Sequence, residues 1–496
     1  MKNFSPVLAR EWLGNIRVDV LSGVVVALAL IPEAIGFSVV AGVDPKVGLY
    51  ASVVIACVIA FTGGRVAMIS AATASTAVLM GGLVHAHGVQ YLFAATILMG
   101  LFQILAGIFK LDRLMRFVSR SVITGFVNAL AILIFLAQMP QLVHVPMATY
   151  GLIALGLAII YLFPRITRAV PSALVAVVVL TIITAATGLH VRTVANLGQL
   201  PSALPQFGIP QVPYTLETLW LLLPLALTLA AVGLLETQLT AQIVDDMTDT
   251  PSNRSRESAG QGIANIAAAF FGGMGGCAMI GQSVINVSSG GRGRLSTLVS
   301  GAFLLVLLVA MQHLLALVPV AALTAVMIMV SINTFSWRSL AQLRTNPKTS
   351  SAVMLATVIV VVSTGNLSAG VLVGVLMSGV FFASKVSRLS GVNSALSGDG
   401  AVQTFHVTGQ IFFASAGTLT NDIHVTEPSV RRIVIDLTHA HFWDISAIGA
   451  LDTVVMKERG RGIEVEVVGL NEASATMVER YGVHDKEGAE ALQMAH

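Results

Sequence analysis

The residues of this chain best suited to chemistry are two acids set in apolar sequence and two runs of small and hydroxyl residues. Glu33 stands in Leu30-Ile31-Pro32-Glu33-Ala34-Ile35-Gly36-Phe37, and Glu236 in Gly233-Leu234-Leu235-Glu236-Thr237-Gln238. A charged carboxylate inside a bilayer costs about 2.5–3.5 kcal/mol on insertion scales, so such a group is usually functional or protonated. Desolvation favours the neutral carboxyl, which makes both acids candidate proton carriers. A neutral Glu hydrogen-bonded to a neighbouring helix is the other reading. The two runs are Ser70-Ala71-Ala72-Thr73-Ala74-Ser75-Thr76 and Gly281-Gln282-Ser283, the second followed by Ser288-Ser289-Gly290-Gly291. Each follows a glycine approach, Gly63-Gly64-Arg65 in one case and Gly272-Gly273-Met274-Gly275-Gly276 in the other. That order predicts an extended piece reaching mid-membrane and then a half-helix. A helix start has N–H groups without intrahelical partners and carries roughly +0.5 charge. Two starts facing each other make an anion site without a basic side chain. The same small residues would also serve close helix packing.

The elements that must hold these groups are membrane helices. Of 496 residues, 55% are hydrophobic and 11% charged, against roughly 25% charged in soluble domains. Mean hydropathy is +0.84. A soluble enzyme is excluded as the main body, and so is a disordered chain. The net charge of +3 hides a split. Residues 1–385 hold 20 Lys/Arg and 11 Asp/Glu, whereas residues 386–496 hold 8 and 14. A membrane domain over 1–390 and a small soluble domain over 400–496 are expected. Cys57 and Cys277 form no disulfide framework and no metal site. No nucleophile–base or metal constellation stands out, so the expectation is a non-enzyme without cofactor, with protons as the coupling ion. The apolar run after Asp19 lacks a small-residue cleavage pattern and reads as the first membrane helix, not a signal peptide.

A spanning helix needs about 20 apolar residues. Stretches that reach or approach this lie at 20–41, 47–62, 66–84, 91–109, 121–139, 149–163, 171–189, 217–244, 259–273, 278–290, 295–317, 318–333, 350–364 and 367–384. With fourteen crossings and a cytoplasmic N-terminus, eighteen Lys/Arg fall inside and only Lys46 and Arg192 outside, as cytoplasmic loops retain cations. This places the C-terminal domain in the cytoplasm of a multi-pass protein, the bacterial inner membrane being the expected site. Seven plus seven segments give halves of opposite orientation, roughly 15–195 and 215–390, the inverted-repeat plan of many secondary transporters. Glu33 and Glu236 then occupy equivalent first and eighth segments. The two short segments are the third and tenth, with an echo of Ala67-Met68-Ile69-Ser70 in Ala278-Met279-Ile280-Gly281. Pro32 and Gly36 predict a break in the first helix. His85 and His87 read as loop histidines, and Asp245, Asp246 and Asp249 as a solvated cap. Arg113, Arg116 and Arg120 read as membrane-surface anchors, not a nucleic-acid patch.

The string from Ile31 through Phe37 to Val43-Asp44-Pro45-Lys46-Val47-Gly48-Leu49-Tyr50 resembles the first-helix signature of sulfate permease anion transporters. The likeness continues through Gly64-Arg65 and the third segment. It resumes at Glu257, Gly262 and Asn265 and at Ser283 to Gly291. It implies fourteen segments in two inverted repeats, divided into core and gate, usually as a dimer. It places a small anion between the third and tenth half-helices, beside the first and eighth helices. The substrate-binding residues it implies are Glu33, Phe37, Ala72, Thr73, Ala74, Gly281, Gln282 and Ser283, with Glu236 as the proton-coupling group. The family's first helix commonly has Gln in the place of Glu33. Some animal members have a Ser-Arg pair where Gly281-Gln282 stands, so a fixed cation is missing here. Members with Glu at the place of Glu236 resemble proton-coupled symporters, and sodium-coupled bicarbonate members lack that Glu.

From residue 400 the pattern becomes strand-like alternation at 402–407, 432–437 and 463–468, separated by helical stretches, as in a small α/β domain. The run Asp444-Ile445-Ser446-Ala447-Ile448-Gly449 resembles the STAS domain typical of this family's tail. Ile445 stands where related domains carry a phosphorylated Ser. The expected function is proton-coupled symport of a small anion such as sulfate, bicarbonate or a dicarboxylate like fumarate, by alternating access. The alternatives are a sodium-coupled bicarbonate transporter or anion exchanger, an uncoupled anion channel, and a nucleobase permease of the same repeat plan.

Overall fold

The computed structural model describes residues 6–111, 118–167, 170–199, 204–365, 367–425 and 427–486, the side chains of 6–9 and 368 excepted. Lys2, Arg113, Arg116 and Arg168 of the loop-charge pattern lie outside the described residues. The chain forms two compact units, Met1–Val375 and Leu376–His496.

The first unit opens with α1 (Pro6–Leu13), α2 (Ile16–Ala41) and α3 (Pro45–Thr62). A three-residue strand β1 (Ser70–Ala72) leads into α4 (Ala74–His87), followed by α5 (Val89–Ile108), α6 (Arg120–Leu136), α7 (Met147–Leu162) and α8 (Ser172–Thr187). The second half repeats the order with α9 (Leu216–Thr248), α10 (Arg254–Phe270), strand β2 (Gly276–Ala278) and α11 (Ile280–Ser288). It continues through α12 (Arg294–Ala310), α13 (Gln312–Ala316), α14 (Val320–Thr334), α15 (Trp337–Gln342) and α16 (Lys348–Thr364) to the start of α17 (Leu367–Ser387), which the unit boundary divides. The fourteen apolar stretches fall in order on α2 to α12, α14, α16 and α17, the third and tenth taking in strand residues and the eleventh also α13. Eight helices among the described residues are long and apolar enough to cross a membrane, and three shorter ones are apolar.

The surface of this unit is apolar and part of its interior is polar. Ile182, Val306, Ile359 and Leu372 are each about 60% exposed, whereas Gln103, Glu257, Asn265 and Asn286 are fully buried. That distribution suits a lipid surround, where outward apolar side chains need no covering partner.

The packing repeats as an inverted repeat demands. α5 packs on α10 and its mate α12 on α3; α12 packs on α2 and α5 on α9; α16 packs on α6 and α7 on α14. One group comprises α2–α5 and α9–α12, the other α6, α7, α8, α14 and α16. The two meet where α2 touches α8 and α14, and where α4 touches α6.

Four sequence expectations are corrected here. First, α2 runs unbroken through Pro32. A proline removes one N–H from a helix, and the buried neighbours on both sides hold the rest in place. Second, the echo is out of register: Ala67–Ile69 precede β1, whereas Ala278 ends β2 and Ile280 opens α11. The structural equivalence is of β1 with β2 and of Thr73 with Met279, so the shared letters carry no repeat. Third, His85 and His87 end α4 instead of lying in a loop. Fourth, Asp245 is no solvated cap. It lies 3.3 Å from the buried Arg65, whose guanidinium also donates to Thr248, to Thr250 Oγ1 at 3.0 Å and to the Val244 carbonyl at 3.1 Å.

The second unit contains a four-stranded sheet of β3 (Gly391–Leu396), β4 (Val402–Ile411), β5 (Arg432–Phe442) and β6 (Glu464–Val468), in that spatial order. β3 and β4 are antiparallel, and the other two pairings are parallel. Its helices are α18 (Ala416–Asp422), α19 (Ile445–Arg459) and α20 (Glu472–Tyr481). Alternation along β5 turns Ile433, Ile435 and Leu437 into a core with Phe405, Leu451 and Val455. Asp444 caps α19 by accepting the Ala447 N–H at 3.1 Å. Ile445 and Ser446 after it are exposed. Asp436 accepts from the Thr438 hydroxyl at 2.6 Å, the Thr438 N–H at 3.0 Å and His406 at 2.9 Å. These donors hold its carboxyl down at about 2.

Two predictions follow from these contacts. A Cβ on Gly276 would stand 2.0 Å from the Ala71 carbonyl oxygen, whereas one on Gly281 would meet nothing within 4 Å. Gly276→Ala is therefore expected to cost about 1–3 kcal/mol, and Gly281→Ala to stay within about 0.5 kcal/mol, read by thermal unfolding in detergent. A depressed carboxyl contributes stability fully above its unfolded value and loses it as the pH falls through the folded one. Asp436→Asn is thus expected to lower the neutral-pH unfolding temperature of the full chain's second unit. That deficit should close on acidification to about pH 2, as read by differential scanning calorimetry.

Candidate functional site

β1 and β2 pair antiparallel, Ser70 with Ala278, Ala71 with Cys277 and Ala72 with Gly276. The chain therefore leaves the ladder for α4 at one end and for α11 at the other. At about 3.3 Å per residue, those two exits stand roughly 7 Å apart along the strands. Thr73 and Met279, the residues before the helices, make no side-chain cap hydrogen bond. Two helix starts without such a cap thus sit at either end of one short ladder, each with partial positive charge.

A carboxyl attends each start. α2 packs against α4 and α11, and α9 packs against the same two. Gln282, in the first turn of α11, donates from Nε2 to Glu33 Oε2 at 2.6 Å. Ser75, in the first turn of α4, donates to Glu236 Oε2 at 2.6 Å. Cys277 of β2 donates its thiol to the same oxygen at 2.6 Å. The repeat exchanges α2 with α9 and α11 with α4, so the two acid–donor pairs stand on corresponding helices, although in the Thr73–Met279 register Ser75 answers to Gly281 and not to Gln282. Both acids are half-buried, whereas Gln282, Ser75 and Cys277 are closed off. Gly281 is exposed, with open space where a side chain would be.

The remaining expected residues divide between the two starts and the packing around them. Ala72 ends β1, Thr73 precedes α4 and Ala74 opens it. The Thr73 hydroxyl lies 3.2 Å from Ser75 Oγ, 3.0 Å from Thr76 Oγ1 and 3.2 Å from Cys277 Sγ. Ser283 is committed to the ladder's extension, its Oγ accepting the Ile69 N–H at 3.0 Å. Phe37 is 2% exposed and packs in the main core. Glu33, Gly281 and Gln282 therefore gather at one start, and Glu236, Thr73, Ser75 and Cys277 at the other. Ser75, although inside the first hydroxyl-rich run, and Cys277 were not among the individual residues expected at the site. The equivalence of the third and tenth segments was the signal that pointed to their stretches of chain. A cavity of about 640 Å³ lies elsewhere, lined by Asp44, Lys46, Gln199 and Phe271 among others. There Lys46 is held by Gln199 Oε1 at 2.6 Å.

Comparison with known proteins agrees with this architecture. The profile of the Sulfate permease family matches residues 16–154 and 141–357, and that of the STAS domain matches residues 395–493. A Bacillus subtilis (strain 168) chain assigned as the sulfate transporter YbaR is 56% identical over 478 residues, covering 96% of this chain and 99% of that one. The bicarbonate transporter BicA of Synechocystis is 26% identical, covering 95% and 91%. The solved transmembrane domain of a cyanobacterial BicA superposes with a TM-score of 0.65 at 27% identity, covering 73% of this chain and 97% of that one. Murine solute carrier 26 family member A9, in its inward-facing state, shares the fold, with a TM-score of 0.82 at 16% identity over 100% of this chain and 96% of that one. The chain is a multi-pass membrane protein of the sulfate permease family, a family of transporters and not enzymes, with a C-terminal STAS domain.

Proposed function

We propose that this protein is a proton-coupled symporter of a small anion. The observation that carries the reading is the symmetric pair of half-helix starts without side-chain caps, each with a carboxyl in its first-turn hydrogen-bond network. Two ends of roughly +0.5 each balance about one negative charge. Among the described residues no basic side chain appears as a partner of Glu33 or Glu236. A monoanion fits that balance directly, and a dianion fits it with a proton bound alongside. Sulfate, bicarbonate and a dicarboxylate such as fumarate are the candidate substrates. Names of relatives that mention sulfate and bicarbonate support the anionic class.

Glu236 is the proton site in this reading. Its Oε2 has two neutral donors, Ser75 and Cys277, and it stands at the start of α4. Protonation removes a negative charge from the place where the anion's own charge must be held. Anion and proton therefore enter the site together more favourably than either alone. Movement of the α2–α5/α9–α12 group against the α6–α8/α14/α16 group then exposes the site to the other side. The protein works as a homodimer in the cell membrane, both termini in the cytoplasm.

Glu236→Gln is expected to abolish accumulation driven by an inward proton gradient in proteoliposomes, while anion binding or exchange persists. Normal acid-driven accumulation by that variant sinks the assignment, and uptake driven by a sodium gradient would replace protons with sodium. A thermal-shift screen over sulfate, bicarbonate, chloride and fumarate at two pH values identifies the anion. The geometry has its own check. In a Glu33→Ala, Gln282→Ala double-mutant cycle, a coupling of about 0.5–3 kcal/mol is expected in thermal unfolding. Strict additivity would mean that the pair is not in contact.

A further inference from the structure

α15 lies in the connection between α14 and α16, two apolar helices, and so at a border of the membrane. Trp337 is 58% exposed and Leu340 48% exposed, and their three-residue spacing puts them on one face. Ser339, between them in sequence, is buried. The Trp337 indole N–H donates to the Ile332 carbonyl at 2.9 Å, and the ring lies 4.8 Å from that of Phe335. The polar edge is thus satisfied internally, and the apolar body of the indole is left facing outward, as at a membrane interface.

The element is firmly seated. Asn128 of α6 is buried, donates to Ser339 Oγ at 2.8 Å and accepts the Ser336 N–H at 2.8 Å. Ser339 Oγ in turn donates to the Ser336 carbonyl at 2.6 Å. Beside the apolar face, Arg338, Arg344 and Lys348 are all exposed. Between Glu257 and Asp399 the chain has no Asp or Glu. Among the described residues none of these three cations takes part in an ion pair.

An outward indole and leucine flanked by three uncompensated cations complement one kind of surface. The apolar side chains enter the acyl boundary, and the cations meet lipid phosphates. We propose that α15 and the turn through Lys348 form a docking site for anionic phospholipid, which fastens the layer of α6, α14 and α16 to one leaflet. This goes beyond the transport reading and does not depend on it.

The test uses the full-length protein in neutral detergent, with unfolding temperature followed as dioleoylphosphatidylglycerol or dioleoylphosphatidylcholine is added. Phosphatidylglycerol is expected to stabilise the protein and phosphatidylcholine not. The Arg338→Gln, Arg344→Gln, Lys348→Gln variant should require on the order of a hundredfold more phosphatidylglycerol for the same rise. Trp337→Ala should weaken the response with the cations intact. Stabilisation of the unaltered protein should also fade in high salt, a readout that needs no variant. Soluble glycerol 3-phosphate should have no effect, which separates a lipid from a free phosphate. A triple variant with the unaltered response, a salt-insensitive response, or equal stabilisation by glycerol 3-phosphate would overturn the proposal.

Discussion

Three residues of antiparallel ladder in the middle of the first unit carry the rest of its architecture. In an apolar surround every backbone N–H and C=O must be paired within the protein, so irregular chain survives only where partners are built for it. β1 and β2 supply part of those partners to each other, and the neighbouring helices supply the remainder. Asn265 of α10 bonds both the N–H and the carbonyl of Gly276, and Gln261 bonds that carbonyl again. Ser52 of α3 accepts from Ala72, and Thr237 of α9 accepts from Ala278. Side chains from α3, α9 and α10 thus bracket six residues of strand. Gly276 is required in this arrangement because any side chain would enter the opposite strand.

The ladder then decides what the half-helices can do. A continuous helix hides its N–H groups at the membrane border. Interrupting two helices at mid-depth moves four orphan donors of each to the interior. The bonding needs of those donors and the partial charge of the helix dipole act at one place, and the two carboxyls are mounted there from the flanking helices. The pairs are related by the repeat but are not alike. Glu33 meets one amide, whereas Glu236 meets a hydroxyl and a thiol. Their donors differ while the backbone frame is shared, and the proposed division of labour between the two acids rests on that difference.

Much of this was legible in the chain. Apolar runs located the helices, because a lipid-exposed span cannot be interrupted by charge without cost. Glycine and small hydroxyl residues marked the two interrupted segments, since only small side chains let strand and helix pack closely at depth. Alternation revealed β4, β5 and β6, whose inward residues are apolar. β3 escaped because Asn393, Ser394, Ala395 and Leu396 are exposed and carry no inward pattern.

By itself, then, the sequence determined the membrane body, the C-terminal α/β domain, the two broken segments and the two acids found beside them, all properties of local composition and spacing. Tertiary structure alone decided which donors hold those acids, that the helix runs through Pro32, and that the repeat equates Thr73 with Met279 instead of following shared letters. Ser75 lies 161 residues from Glu236, and Gln282 lies 249 from Glu33. Contacts across such separations are set by how helices pack around a common ladder, and nothing in the local order of residues records that packing.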